Sequence, residues 1–175
     1  MPSNTKENGF ETLIVDSLVS NNGYEQGVTT EYTKEYAIDE GRLFRFLLST
    51  QKKAMDELHI LDNDLEKERF FKQLDKKLKS DGVIALLRNG MRYKHLHLDL
   101  FYVRPSIHNP EAAEFYEKNI FSVTRQLQYS SFNPRLALDV CIFINGLPVI
   151  TMELKNQLTK QNVSDAVEQY KNDRT

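Results

Sequence analysis

Leu138-Asp139-Val140-Cys141-Ile142-Phe143-Ile144-Asn145-Gly146-Leu147-Pro148-Val149-Ile150-Thr151-Met152-Glu153-Leu154-Lys155 reads as two apolar strands joined at an Asn-Gly turn. Val, Ile and Phe suit a pleated surface, and Asn-Gly between such runs is a strong hairpin signal. Glu and Lys are depleted in strands, so Glu153 and Lys155 at the end of the second run do not fit a purely structural role. Alternation places Glu153 and Lys155 on one face and turns Ile150, Met152 and Leu154 toward the core.

Two carboxylates and a lysine on adjacent strands are the equipment of metal-dependent phosphodiester hydrolysis. That reaction needs charge neutralised on the phosphoryl oxygens and a hydroxide generated near neutral pH, and Mg2+ serves both needs. As a hard cation it takes oxygen ligands, which Asp139, Glu153 and the Leu154 backbone carbonyl can supply, and it keeps several waters. Lys155 would orient the attacking water or stabilise developing negative charge. The plainer alternative is a set of edge-protecting charges or a surface ion pair.

Side-chain parity constrains the turn. A strict two-residue loop of Asn145-Gly146 pairs Asp139 with Met152 and sends Glu153 to the opposite face. The site therefore requires a loop of three or five residues, or a bulge. With Gly146 in the left-handed conformation the three-residue loop is expected, setting Asp139 opposite Thr151 and diagonal to Glu153 at roughly 7 to 8 Å between Cα atoms.

Outward from the hairpin, Phe121 to Tyr129 reads as another strand. Leu96, Leu98, Leu100 and Tyr102 alternate with His97, Asp99, Phe101 and Val103, which predicts a strand ending before Pro105. His95 and His97 fall on one face of it and, lacking a third ligand in a recognisable motif, read as surface histidines rather than a zinc pair. Helical spacing appears over residues 9–21, where Phe10, Leu13, Ile14 and Leu18 precede the stop Asn21-Asn22-Gly23. Asp39 can cap a second helix carrying Leu43, Phe46, Leu47 and Ala54, and a third runs from about Asp64 to Lys79 with Phe71, Leu74 and Leu78 inside. Lys76, Lys77 and Lys79 near its end read as a solvated face favoured by the helix dipole, with DNA contact as the alternative. Short helical stretches follow at Glu111 to Glu117 and Val163 to Lys171. Residues 1–8 look like a frayed terminus.

The chain has 175 residues, 40% of them apolar and 27% charged, which suits a single folded domain spanning 1–175. Helices around a mixed central sheet make it α/β. Cys141 is the one cysteine, which excludes internal disulfides and Cys-based zinc sites and fits a reducing cytoplasm. No secretory leader pattern is present, and no apolar stretch reaches the roughly 18 residues of a membrane span. A net charge of −2 is awkward for a freestanding DNA binder, so any grip on nucleic acid is local or borrowed.

Several segments taken together resemble a known family: Asn119-Ile120-Phe121-Ser122-Val123, Leu138 to Pro148, Glu153-Leu154-Lys155-Asn156 and Gln169-Tyr170-Lys171-Asn172-Asp173-Arg174, with Gly23-Tyr24 after the first helix. They resemble the N-terminal nuclease domain of type I restriction enzyme R (HsdR) subunits, within the PD-(D/E)XK endonuclease superfamily. The resemblance implies a restriction-endonuclease-like core cutting double-stranded DNA with Mg2+, or with Mn2+ in its place. It further implies a fragment of a longer R subunit, whose ATP-driven translocation uses motor domains absent from this chain, and partner modification and specificity subunits. Asp139, Glu153 and Lys155 match the family's catalytic positions, although Leu138 stands where the superfamily name has Pro.

Gln169 resembles the glutamine of the Gln-x-x-x-Tyr element of related nucleases and is expected to contact the DNA backbone or support the site. Asp173 occupies the Tyr position of that element, which leaves Tyr170 either as its substitute or as a helix-face core contact. Glu11 on the first helix either reaches the metal, as an acidic residue does in many nucleases of this fold, or simply complements the helix dipole. A noncatalytic docking or DNA-binding module, or a standalone repair or junction nuclease, is the competing reading. No G-x-x-x-x-G-K-[ST] loop occurs, so nucleotide binding has no place in these residues.

Overall fold

A computed structural model describes residues 7–106, 109–130, 133, 136–154, 167 and 171. In chain order the elements are α1 (Glu7–Asn22), β1 (Glu25–Gly27), β2 (Tyr32–Thr33), β3 (Ile38–Asp39), α2 (Glu40–Leu58), α3 (Asp64–Asp81) and α4 (Val83–Asn89). Then come β4 (Met91–Tyr93), β5 (Leu96–Leu98), α5 (Pro110–Glu117), β6 (Phe121–Gln128), β7 (Ala137–Ile144) and β8 (Leu147–Met152). A four-stranded mixed sheet in the order β1-β6-β7-β8 forms the centre, with β1 parallel to β6 and the remaining pairs antiparallel. This is the α/β architecture expected from the sequence, compatible with a restriction-endonuclease-like core.

The helix signals acted as local physics requires. Asp39 Oδ1 accepts the Arg42 N–H at 3.0 Å and starts α2. Asn63 caps α3 through the amides of Leu65 and Glu66, and Asn109 caps α5 through that of Ala112. Helix α1 opens at Glu7, so the expected frayed terminus is shorter than residues 1–8, and residues 1–6 lie outside the described set.

The alternating run from Leu96 gives only a three-residue strand, outside the central sheet and shorter than the one expected to end before Pro105. Lys94, with φ 53°, and His95 form a two-residue turn, and β5 pairs only with β4, ending at Leu98. Leu98 and Leu100 are both wholly buried, as alternation predicts, but the backbone beyond Leu98 pairs with no strand among the described residues and its path is irregular. The short strand β1 carried no apolar run to announce it. Its Glu-Gln-Gly sequence pairs by backbone alone against Ser122, Val123 and Thr124.

Three apolar clusters hold the layers together. The largest joins α2, α3, α4, β4 and β5 through Leu43, Phe46, Leu47, Phe70, Leu74 and Leu98. A second packs Val15 of α1 on Val123, Val140 and Ile142, with Met152 and Leu154 alongside. The third comprises Leu127, Leu138, Cys141 and Phe143, flanked by Tyr32 and Tyr129. Val123 and Leu127 would share a face in a regular strand, yet they belong to separate clusters, and Gln126 between them has φ 47°.

Candidate active site

The site hairpin combines a two-residue turn with a bulge. Ile144 pairs with Leu147 across Asn145-Gly146, whose φ values of 50° and 82° suit a tight hairpin turn. Phe143 pairs with Pro148, but Ile142 pairs with Ile150, leaving Val149 as the extra residue. The expected three-residue loop is therefore wrong, and so is the pairing of Asp139 with Thr151, which lies opposite Cys141. Pro148 has no N–H to give the ladder, and the irregularity falls immediately after it. The bulge restores by another route the parity that the site needs. Val140 pairs with Met152, where β8 ends, and the same register carried one step further would set Glu153 opposite Asp139.

The orientation expected for β8 is partly corrected. Met152 and Leu154 pack on the Val15 cluster, whereas Ile150 is 49% exposed.

Asp139 is half-buried and held from two sides. The backbone N–H of Leu154 donates to its Oδ2 at 2.6 Å, and Gln126 Nε2 donates to its Oδ1 at 3.4 Å. The chain beyond Glu153 thus bends onto the Asp139 carboxylate, which brings the Leu154 backbone to the site. A carboxylate accepting a backbone N–H is a strong, charge-assisted contact.

Glu11 belongs to the same group. Helix α1 packs across β6 and buries Glu11 until 1% of it is exposed. An ionised carboxylate survives such burial only with strong partners. Gln126 Nε2 lies 2.8 Å from Glu11 Oε1, and Arg125 Nη2 lies 3.4 Å from Oε2. An ordinary first-turn Glu complementing the helix dipole would sit in solvent, whereas this one is buried and ion-paired with Arg125.

Sequence reading missed Arg125 and Gln126. The available signal was Arg125, which interrupts the apolar positions Phe121, Val123, Leu127 and Tyr129, whereas Gln126 falls among the polar positions and carried none.

Lys155, Gln169 and Tyr170 lie outside the described residues. Among the described residues, no three His, Cys, Asp or Glu side chains converge as a ready cation cage. Mg2+ ordinarily takes one or two carboxylates and keeps its waters, so the oxygen donors of Asp139 and Glu153 are of the chemistry that suits it.

Lys77 pairs with Asp81 at 3.1 Å and Lys79 with Asp75 at 2.7 Å, as a solvated helix face would. His95 sits in the β4–β5 turn rather than on a strand, against Glu57 at 2.6 Å, while His97 lies 3.5 Å from Asp99. They are not the same-face pair the sequence suggested.

The turn of the hairpin is anchored as firmly as its open end. Asn145 is wholly buried: its Oδ1 accepts the Ile120 N–H at 2.6 Å, and its Nδ2 donates to the Leu100 carbonyl at 2.9 Å and to Asn119 Oδ1 at 3.0 Å. One side chain thereby fixes the β7–β8 turn to the start of β6 and to the segment after β5. No helix among the described residues is long and apolar enough to cross a membrane.

No curated protein and no solved structure gave a significant match to the chain. The family model described as type I restriction enzyme R protein N terminus (HSDR_N) matches residues 4–175. With that match over nearly all of its length, and a mixed sheet flanked by helices, the chain belongs to the N-terminal domain family of type I restriction enzyme R proteins.

Proposed function

We propose that this domain is the endonuclease of its R subunit and hydrolyses phosphodiester bonds of double-stranded DNA with Mg2+ held at Asp139 and Glu153. The observation that supports this reading is the bulge at Val149, which shifts the β7–β8 register by one residue from that of a plain two-residue turn, the shift that a shared face for Asp139 and Glu153 requires. Asp139 and Glu153 would hold the ion, the Leu154 carbonyl would add an oxygen, and Glu11 would reach the same centre. When bound, the ion would lower the pKa of water and offset phosphoryl charge.

The chain's own groups have separate tasks. The Leu154 N–H fixes one oxygen of Asp139 and leaves the other turned toward Gln126 and Glu11. Lys155, two residues after Glu153, would bring its ammonium to the water or to the leaving oxygen. Gln169 would touch the DNA backbone or brace the site, with Tyr170 beside it in sequence. With a net charge of −2, the chain would rely on the rest of a longer R subunit and on modification and specificity subunits to hold DNA. ATP-driven translocation would lie in motor domains elsewhere in that subunit.

Calorimetric titration of Mn2+ into the 175-residue chain, beside Glu153→Ala and Lys155→Ala, tests the reading. Binding in the wild type that Glu153→Ala abolishes and Lys155→Ala leaves largely intact is expected. Absent wild-type binding, or binding indifferent to Glu153→Ala, would overturn it. Cleavage by the chain alone is expected to be weak, since the motor that delivers DNA is missing.

A further inference from the structure

We infer that Gln126 is a positioning residue, whose side-chain amide holds the Glu11 and Asp139 carboxylates side by side so that both address one cation. The inference rests on the metal-site reading above. A primary amide carries two N–H donors on one nitrogen. Here that nitrogen lies 2.8 Å from Glu11 Oε1 and 3.4 Å from Asp139 Oδ1. These carboxylates come from elements far apart in sequence, one on α1 and one on β7. Gln126 is the side chain that touches both.

The backbone is bent to serve this contact. Arg125 pairs with Val140 and Leu127 with Leu138, so Gln126 stands opposite Asp139 in the ladder. Its φ of 47° is in the left-handed region, which a long unbranched side chain enters at a cost, and such strain concentrates at working sites. A left-handed residue inside a sheet strand has no role in pairing.

The choice of amide over cation also follows from the charges. A neutral donor draws two carboxylates together without cancelling the charge that attracts a dication. A lysine there would neutralise them and compete with the metal. The one cation paired with Glu11 among the described residues, Arg125, meets its other oxygen at 3.4 Å and offsets part of the Glu11 charge, which leaves the Asp139 carboxylate as the stronger attraction for a dication.

Two substitutions in the 175-residue chain separate side chain from backbone. Gln126→Met keeps the size and removes the amide, whereas Gln126→Gly removes the side chain and accepts the positive φ without strain. Both are expected to bind Mn2+ at least about tenfold more weakly by calorimetry, the usual scale for losing a partner that orients a metal ligand. Both variants leave Glu11 Oε1 without its amide donor. Gln126→Gly, however, also sheds the left-handed strain and is expected to unfold in urea later than Gln126→Met while binding Mn2+ as weakly, a combination that a purely structural role would not give. Mn2+ affinity within about twofold of wild type in both variants would overturn the positioning role, provided Glu153→Ala abolishes binding in the same series. Wild-type stability and affinity in Gln126→Gly, with both lost in Gln126→Met, would make Gln126 a backbone element only. If the wild type itself binds no Mn2+, or Glu153→Ala binds as well as wild type, the metal reading fails and takes this inference with it.

Discussion

The Asp39 N–H donates to the Gly146 carbonyl at 2.9 Å, so the turn of the site hairpin is fastened to the residue that caps α2. A Cβ on Gly146 would fall on the Asp39 carbonyl oxygen and within 2.7 Å of the Leu43 nitrogen. Both obstacles are backbone, and the φ of 82° adds strain. Gly146→Ala is therefore expected to lose about 3 kcal/mol of stability in urea unfolding, through overpacking and left-handed strain together. A midpoint equal to wild type would mean that the turn can move away from α2.

The bulged register is testable by insertion. One alanine placed between Thr151 and Met152 leaves the turn and Val149 untouched but moves Met152 opposite Asp139 and Glu153 one step beyond it. Mn2+ binding is expected to disappear while the helical circular dichroism persists. Retained binding would show that Glu153 reaches the centre independently of strand register.

Arg42 is 7% exposed and gathers three carboxylates, with Glu25 at 3.1 Å, Glu31 at 2.6 Å and Asp39 at 2.5 Å. Burial opposes its charge, but the bonds to Glu31 and Asp39 outweigh that and raise its pKa. Arg42→Met strands the buried Asp39 carboxylate, and a loss of about 3–5 kcal/mol is expected from urea unfolding, as for other broken buried pairs. A much smaller loss would mean that water enters and replaces the guanidinium.

The same cluster sets an acid limit. The Arg42 hydrogen bond, outweighing burial, holds Glu31 below its ordinary value of 4.5. In Glu25, burial pulls upward, but Arg45 and Arg42 together bring the carboxyl below 4.5. A carboxyl depressed in the folded state contributes stability that is complete above the unfolded pKa and is lost as pH falls through the folded one. Thermal unfolding should therefore be insensitive to these groups above about pH 5.5 and show falling stability below about pH 4.5. In Arg42→Met this acid-dependent step should shrink, and an unchanged step would assign it to other carboxylates.

Cys141 is wholly buried in β7, and burial pushes its thiol up to about 12 from 9.0. Since the folded pKa is raised, its contribution is present below the unfolded value and is lost as pH climbs from 9.0 toward 12. At pH 8 an aromatic disulfide reagent is expected to label the native chain only at the rate of unfolding and the urea-unfolded chain at once. Rapid labelling of the native chain would mean that β7 opens locally.

Local chemistry was readable where one residue type settles a local question. Asp39 announced a cap, Asn145-Gly146 announced a turn, and the run Val140 to Ile144 announced a strand. Asp139 and Glu153 stood out in the sequence because carboxylates are uncommon beside apolar strand runs. The strand β1 was not legible, since Glu25-Gln26-Gly27 is held by backbone pairing to β6 and carries no pattern of its own. The hairpin register was legible only as a set of options: parity demanded a longer loop or a bulge, and the sequence does not weigh one against the other.

The sequence by itself determined the element types, the α/β class and the residues with the chemistry to hold a cation, because propensity, capping and side-chain period act within a few residues. Only the tertiary structure decided that Val149 bulges, that α1 buries Glu11 against β6, and that Gln126 turns left-handed to meet it opposite Asp139. Those outcomes depend on contacts between residues more than a hundred positions apart, as with Gln126 and Glu11, where packing and the pairing of buried charge outweigh local preference.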